Sequence, residues 1–185
     1  MKRLETQRVI LRDFKIKDAK QAYENWASVG ELAEVSDFKE HESMEETKQM
    51  IQMGMGQENE DWYTWAIELK ETQEVIGFIR VYEESKKNKN CKIRWMLGYN
   101  WWNKGYTEEA LKEVIKYTFE QKDINIIICD FMENIEYRVR KTLEQIGMTK
   151  EATLKQRRYD SKTGKFLNEI IYSITKQEYK EMTKN

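Results

Sequence analysis

Proline is absent from this 185-residue chain, so its turns must rest on glycine, asparagine, aspartate and serine. Cysteine is nearly absent: Cys91 and Cys129 are the two present, and isolated as they are they form neither a disulfide framework nor a zinc signature. Both lie in apolar runs, which reads them as small core residues rather than nucleophiles, and no metal site is expected. No apolar run reaches the roughly 18 residues of a bilayer span, so no membrane segment is expected. The start, Met1 to Glu5, lacks the apolar core of a signal peptide, and the cytoplasm is the expected compartment. Excess charge of one sign is missing too. The 32 Lys and Arg against 33 Asp and Glu leave a net charge of −1, without the basic excess of a nucleic-acid footprint. Histidine occurs once, as His41, so any histidine base must be that residue.

What remains is a globular balance, 39% hydrophobic and 35% charged. That balance suits a single domain over residues 1–185 with one core. Arg8–Phe14 reads as a strand, apolar and β-branched in its middle. Asp18–Ser28 reads as a helix with Ala19, Ala22, Tyr23 and Trp26 on one face. Ser43 and Glu46 form a capping box that opens a helix to about Met55, ended by Gly54, Gly56 and the polar stretch Gln57–Asp61. Tyr63–Lys70, Val75–Glu83 and Lys89–Leu97 are strands with short polar linkers, so antiparallel neighbours are expected. Thr107–Gln121 is a long amphipathic helix. Asn125–Phe131 reads as a central strand covered on both faces. A helix with Val139, Leu143 and Ile146 stops at Gly147. Met148–Asp160 and Phe166–Thr175 then form a hairpin around Gly164. The aromatics Trp62, Tyr63, Trp65 and Trp95 read as core, whereas Trp101 and Trp102, as neighbours, tend to point apart.

Between a strand and the long helix lies Trp101-Trp102-Asn103-Lys104-Gly105-Tyr106-Thr107-Glu108-Glu109-Ala110. A loop entering a helix presents free N–H groups at the positive end of the helix dipole, a ready site for phosphate. Gly105 permits a tight turn and close approach of a ligand, and Lys104 adds a positive charge. By its residues alone, the stretch reads first as an ordinary strand–loop–helix connection with a glycine in its turn.

The segment resembles the coenzyme A pyrophosphate loop of the GCN5-related N-acetyltransferases, in the branch that acetylates ribosomal-protein N-termini. Trp102, Lys104, Gly105, Tyr106, Glu109 and Ala110 stand in matching places. Asn103 replaces a glycine and tolerates positive φ better than most residues. Thr107 replaces a small residue and offers a hydroxyl. The element order β-α-α-β-β-β-α-β-α-β-β resembles that family's fold along the whole chain: a mixed α/β domain whose mostly antiparallel sheet of about seven strands is flanked by about four helices.

The resemblance implies acetyl-CoA as cosubstrate and a primary amine as acceptor, a protein N-terminus or a small polyamine-like metabolite. It implies coenzyme contacts from Trp102, Asn103, Lys104, Gly105, Tyr106 and Thr107. It also implies unpaired backbone groups around Met96 and Leu97, where two strands splay. Direct attack needs no nucleophilic cysteine or serine. The family's second motif matches at Leu143, Glu144, Ile146 and Gly147. It departs at Glu136, where an Asn donates to the pantetheine arm, and at Val139, where a Ser stands. A carboxylate cannot donate as an amide does. Asn134 fills the Asn position if two residues are inserted. The departures keep open an alternative, a catalytically weak or inactive acyl-CoA-binding protein. The base candidates are Glu83, His41 and Asp130. Leu143 stands where the family often has a Tyr acid, and Tyr137 is the substitute. Arg138, Arg140 and Lys141 read as a solvated helix face. Acceptor loops would correspond to Val29–Ser43 and Asp160–Phe166, and Glu31, Glu34, Asp37 and Glu40 would suit a cationic amine. The expected assembly is a monomer or homodimer.

Overall fold

The computed structural model describes residues 2–30, 39–53 and 62–184, the side chains of Trp62 and Glu83 apart. Eight strands form one sheet: β1 (Leu4–Glu5), β2 (Val9–Arg12), β3 (Trp62–Leu69), β4 (Val75–Ser85), β5 (Asn90–Leu97), β6 (Ile126–Met132), β7 (Thr149–Asp160) and β8 (Lys165–Thr175). Their spatial order is β1-β2-β3-β4-β5-β6-β8-β7. Every pairing is antiparallel except β5 with β6. The extra strand beyond the expected seven is β1, whose two residues pair with Leu11 and Ile10. Two residues carry no alternation from which a strand could be read.

The helices are α1 (Ala19–Ala22), α2 (Met44–Gln52), α3 (Tyr106–Gln121), α4 (Glu136–Gln145) and α5 (Lys176–Met182). The expected helix Asp18–Ser28 is composite: a 3₁₀ turn at Ile16–Asp18, then α1, then a π turn at Tyr23–Ala27. The Ser43 cap forms, with Glu46 N–H donating to its hydroxyl at 3.2 Å. The return bond to the Glu46 carboxylate comes from Glu42 N–H at 2.9 Å, not from Ser43. Gly54, Gly56 and Gln57–Asp61 lie outside the described residues, as do Glu31, Glu34 and Asp37. Helix α5 was not expected, although Thr175 and Glu178 make a complete capping box at its start. Among the described residues no helix is long and apolar enough to cross a membrane.

The sheet is the middle of three layers. On one face Leu111, Val114, Ile115 and Phe119 of α3 and Val139 and Leu143 of α4 pack on the odd-numbered residues of β3, β5 and β6, among them Trp65, Ile67, Ile93, Ile127 and Cys129. On the other face Ala19, Ala22, Trp26 and Ile51 pack on Ala66, Phe78 and Met96. Strand β6 is covered on both faces only at Asp130, which is buried between Cys129 and Phe131. Ile127, Cys129 and Phe131 are buried, while Ile126, Ile128 and Met132 are half-buried.

Candidate active site

The parallel ladder between β5 and β6 is short. It holds Asn90, Cys91 and Lys92 against Ile126, Ile127 and Ile128, and stops there, although the strands run on to Leu97 and Met132. The phase of the neighbouring ladder settles which groups face the gap. Gly98 N–H donates to Ile76 C=O at 2.9 Å, and Lys89 C=O accepts from Asn125 at 2.7 Å on the β6 side. Backbone groups alternate sides along a strand. Even-numbered residues of β5 therefore turn their backbone to β4, and Ile93, Trp95 and Leu97 turn theirs to β6. The Leu97 carbonyl accepts from Trp102 Nε1 at 2.7 Å and the Ile93 carbonyl from Arg94 Nη1 at 3.1 Å. Among the described residues, the Leu97 N–H and both groups of Trp95 face the gap without a ladder partner. Met96, expected here, turns its backbone into the β4 ladder and its side chain into the core beside Phe78.

The chain leaves β5 through a 3₁₀ turn, Tyr99–Trp101. Trp101 is buried, and the half-buried Trp102 packs against both cores. Asn103 takes φ +58° and Gly105 φ +78°, so both positions that the loop needs in the left-handed region adopt it. The first bond of α3 runs from Glu109 N–H to Gly105 C=O at 3.1 Å. The N–H groups of Tyr106, Thr107 and Glu108 are thereby left at the start of a 16-residue helix, where unpaired donors and the dipole favour an anion. The helix begins one residue before the expected Thr107. Lys104 is exposed.

Arg8 holds this loop from behind. Its Nη1 donates to Lys104 C=O at 2.8 Å, its Nε to Glu109 at 2.6 Å, and its guanidinium lies 4.5 Å from the Tyr106 ring centre. Glu109 also accepts from the Thr6 hydroxyl and from Arg8 N–H. Burial raises the Glu109 carboxyl, and these donors outweigh burial and hold it below the usual carboxylate range.

On the α4 side, Glu136 does not offer a donor to the gap. Its carboxylate takes Lys150 Nζ at 2.8 Å and the Tyr172 hydroxyl at 3.2 Å, which together hold it below its ordinary value, Lys150 contributing most. Val139 is buried in the core. Asn134 is exposed in the 3₁₀ turn that precedes α4. Tyr137 is 72% exposed, and its hydroxyl accepts from Arg138 Nε at 2.6 Å. Arg138 is exposed, as expected of a solvated helix face, and its guanidinium lies 5.9 Å from the Trp102 ring. The structure therefore links Tyr137 to the Trp102 turn through Arg138.

The base candidates are dispersed. His41 is buried, not on a loop surface. Its N–H bonds Ala27 C=O at 2.8 Å and its Nδ1 shares a 2.8 Å bond with the Thr47 hydroxyl. Burial holds its imidazole below the ordinary value, against Glu46, with Lys39 adding to the burial. Glu83 pairs in β4 with Cys91, next to a bulge, and its side chain lies outside what is described. Asp130 is buried and takes Arg94 Nη2 at 2.6 Å and Lys92 Nζ at 3.5 Å. Burial raises its carboxyl, but Arg94 foremost and then Lys92 carry it below the usual range. An ionised, paired carboxylate of that kind is a poor proton acceptor near neutrality.

Alternation and register bring Thr64, Arg80 and Arg94 into one row, Thr64 opposite Arg80 and Arg80 opposite Arg94, with Asp130 completing it across the gap. Sequence reading does not single out Arg8, Arg80 or Arg94. The first pairs with residues about a hundred positions away, and the next two meet only through strand register. Among the described residues no group of His, Cys, Asp and Glu gathers as a metal site.

A family model described as an acetyltransferase (GNAT) domain matches residues 8–149. The protein named uncharacterized N-acetyltransferase p20 of Bacillus licheniformis is 29% identical over 184 residues, covering 97% of this chain and 99% of that one. The acetyltransferase (GNAT family) from Bacillus anthracis superposes with a TM-score of 0.83 at 20% identity, covering 95% of this chain and 99% of the other. RimL, a ribosomal alpha-N-protein acetyltransferase in complex with coenzyme A, superposes with a TM-score of 0.80 at 15% identity, covering 94% and 98%.

Proposed function

The chain belongs to the acetyltransferase (GNAT) family, and on that premise we propose that it transfers an acetyl group from acetyl-CoA to a primary amine by direct attack. The observation that carries this reading is the pairing of a donor-lined turn at Trp102–Glu108 with the gap that opens beyond Lys92 and Ile128. The residues suit the coenzyme. Three free N–H groups at α3, Lys104 beside them and the left-handed Asn103 and Gly105 make an anion cradle, and a Cβ on Gly105 would stand 3.3 Å from Arg8 Nη2. Trp102, Asn103, Lys104, Gly105, Tyr106 and Thr107 would hold the pyrophosphate end. Along β5 we assign pantetheine and thioester contacts to Leu97 and Trp95, not to the Met96 backbone.

In the reaction, the neutral amine nitrogen bonds to the thioester carbon, the C–S bond breaks, and the departing thiolate takes a proton. The Leu97 and Trp95 N–H groups face the place where negative charge develops on the thioester oxygen, and such preorganised donors are worth a few kcal/mol. Tyr137, tied to Arg138, is our candidate for the proton that the thiolate takes. We assign removal of the ammonium proton to water, since Asp130 is locked in its ion pair and His41 has its described partners away from the gap. The two cysteines are buried and not joined in a disulfide, which suits the expected reducing cytoplasm.

A second reading, an acyl-CoA-binding protein without turnover, is favoured by Glu136, which spends its carboxylate on Lys150 where the family places an amide donor. Titration calorimetry with acetyl-CoA, followed by thiol release in the presence of an amine panel, tests both. Heat with thiol release supports the transferase. Heat without release from any amine supports the second reading. No heat at about 1 mM ligand, a bound of roughly −4 kcal/mol, would overturn both.

A further inference from the structure

The β7–β8 hairpin stands at the open end of the gap. The last rung between β6 and β8 joins Met132 to Glu169. Lys165–Asn168 carry β8 past the end of β6, about 13 Å at an ordinary strand rise. The gap between β5 and β6 opens in the same direction. Asn168 fastens the hairpin to the turn before α4: its N–H and its Nδ2 donate to the Glu133 carboxylate at 3.0 and 2.9 Å. A chain leading into the gap from its open end therefore lies beside the hairpin.

Within residues 155–166 the hairpin holds Lys155, Arg157, Arg158, Lys162 and Lys165 against one carboxylate, Asp160, in a chain whose net charge is −1. Asp160 is engaged by its own turn, accepting from Lys162 N–H at 3.0 Å and from the Thr163 hydroxyl at 2.7 Å. Arg158 reaches Glu169 at 3.5 Å. Lys155, Arg157 and Lys165 are exposed, and among the described residues none of them has a carboxylate partner. Two aromatic rings accompany them. Tyr159 and Phe166 are 58% and 61% exposed, with ring centres 5.2 Å apart. Aromatic residues and arginine are the types in which protein-binding surfaces are enriched.

The backbone is shaped to display these side chains. Between the rungs Leu154–Glu169 and Arg158–Leu167, β7 has two residues more than β8, and the excess sits at Lys155–Arg157. Gln156 takes φ +52° there, held by its N–H donating to Asn168 Oδ1 at 3.0 Å. A bulge of this kind spoils a sheet edge for strand addition and re-aims side chains. The hairpin thus offers side chains rather than backbone. Cations gathered on one element attract carboxylates, and an arginine fork matches a carboxylate with two parallel hydrogen bonds. A single hairpin is a small footprint for nucleic acid, and the chain lacks the basic excess that goes with one.

We propose that the acceptor is the N-terminus of an acidic polypeptide. Its α-amine enters the gap, and carboxylates a few residues further along lie on Lys155, Arg157 and Lys165, beside the Tyr159–Phe166 pair. This rests on the acetyltransferase reading above. Of the two acceptors that the resemblance implies, it selects the protein N-terminus over the small cationic amine.

The test uses the full chain with acetyl-CoA and short peptides of free N-terminus. Each peptide carries Asp and Glu after its first three residues and is paired with one that has Asn and Gln in those places. The first residue is varied, and spermidine is the small-amine control. Thiol release should favour the best acidic peptide over its partner by at least roughly tenfold in kcat/KM, through KM, and the preference should fade at high salt. The triple variant Lys155→Ser, Arg157→Ser, Lys165→Ser should abolish the preference with the coenzyme A dissociation constant unchanged. Arg157→Glu should shift it toward peptides with Lys in those places. Equal rates within every pair, spermidine outrunning every peptide, or a triple variant that keeps the preference would overturn the proposal. So would an RNA oligonucleotide that binds more tightly than the best acidic peptide and loses its binding in the triple variant. If no amine releases thiol, calorimetry of the same pairs on protein saturated with coenzyme A separates this failure from that of the acetyltransferase reading. A preference for the acidic peptide that the triple variant loses keeps the hairpin assignment while transfer fails, and no preference overturns it. If the triple variant does not fold, Arg157→Glu alone supplies the contrast, and an unchanged preference there overturns the proposal.

Discussion

Arg8 Nε and Glu109 Oε2 meet at 2.6 Å across 101 positions of sequence, and the same guanidinium caps the Lys104 carbonyl at 2.8 Å. One side chain thus ties the turn before β2 to the first turn of α3 and to the loop that opens it. The pair is partly exposed, with Arg8 at 42% and Glu109 at 18%, so its direct worth to stability is small, about 1 kcal/mol or less. Its consequence is the shape of the loop. Arg8→Met should leave the fold intact and weaken coenzyme A binding by roughly threefold to tenfold, since preorganised donors lose affinity when their geometry loosens. Calorimetry on the variant reads this directly.

Glu109 adds a pH signature. Its folded value lies below the unfolded one, despite burial, because Thr6, Arg8 N–H and the Arg8 guanidinium stabilise the charged form. A depressed carboxyl contributes stability above its unfolded value and loses it as pH falls through the folded value. Coenzyme affinity and the melting temperature should both decline on acidification below the ordinary carboxyl value of 4.5. In Glu109→Gln the same acid limb should be shallower.

The Asp130–Arg94 pair is the buried counterpart. Arg94 and Asp130 side chains are 17% and 5% exposed and 2.6 Å apart. Removing one partner strands the other charge, which typically costs about 3–5 kcal/mol. Asp130→Asn should therefore lower the melting temperature far more than it lowers kcat in whatever protein stays folded. A large loss of kcat with unchanged stability would instead make Asp130 the base.

Cys129 offers a chemical check on the core. Burial pushes its thiol up to about 12, against a smaller opposing pull from Arg94. The thiolate is the reactive form, so native protein at pH 8 should leave Cys129 unmodified by a thiol reagent, and unfolding should release it. Labelling of Cys129 in the native state at a rate near that of the unfolded chain would contradict its position behind α3.

Local pattern carried much of this architecture. Leu111, Val114, Ile115 and Phe119 recur at helical spacing, and they are buried in α3 together with Ala110 and Thr118. The Gly105 turn was visible because left-handed backbone needs a residue type that the sequence displays. Other features depend on distance that a sequence does not encode. Arg80 and Arg94 become neighbours only when β4 and β5 take their register. His41, flanked by Glu40 and Glu42, carries no sign of burial, which comes from Ala27 and Thr47. The π turn at Tyr23–Ala27 hides inside a normal helical pattern. The Thr175–Glu178 box that starts α5 was legible, overshadowed by the strand pattern running into it.

Gly105 gives the sharpest test of the coenzyme loop. Its φ of +78° lies where a β-branched residue is strained, and a Cβ there would sit 3.3 Å from Arg8 Nη2 and 3.4 Å from Glu108 Oε2. Gly105→Val would therefore deform the turn, loosen the Arg8 clamp and block the approach of phosphate to the Tyr106, Thr107 and Glu108 N–H groups. We expect coenzyme A affinity to fall at least tenfold, about 1.4 kcal/mol, with the far-ultraviolet spectrum retained. Lys104→Ala should cost less, because the exposed ammonium is screened by salt while the amides and dipole act at contact. The two variants differ in salt dependence as well. The Lys104 effect should fade between low and high ionic strength, whereas the Gly105 effect should persist. If folded Gly105→Val binds coenzyme A as the parent does, the pyrophosphate does not sit on the α3 N-terminus.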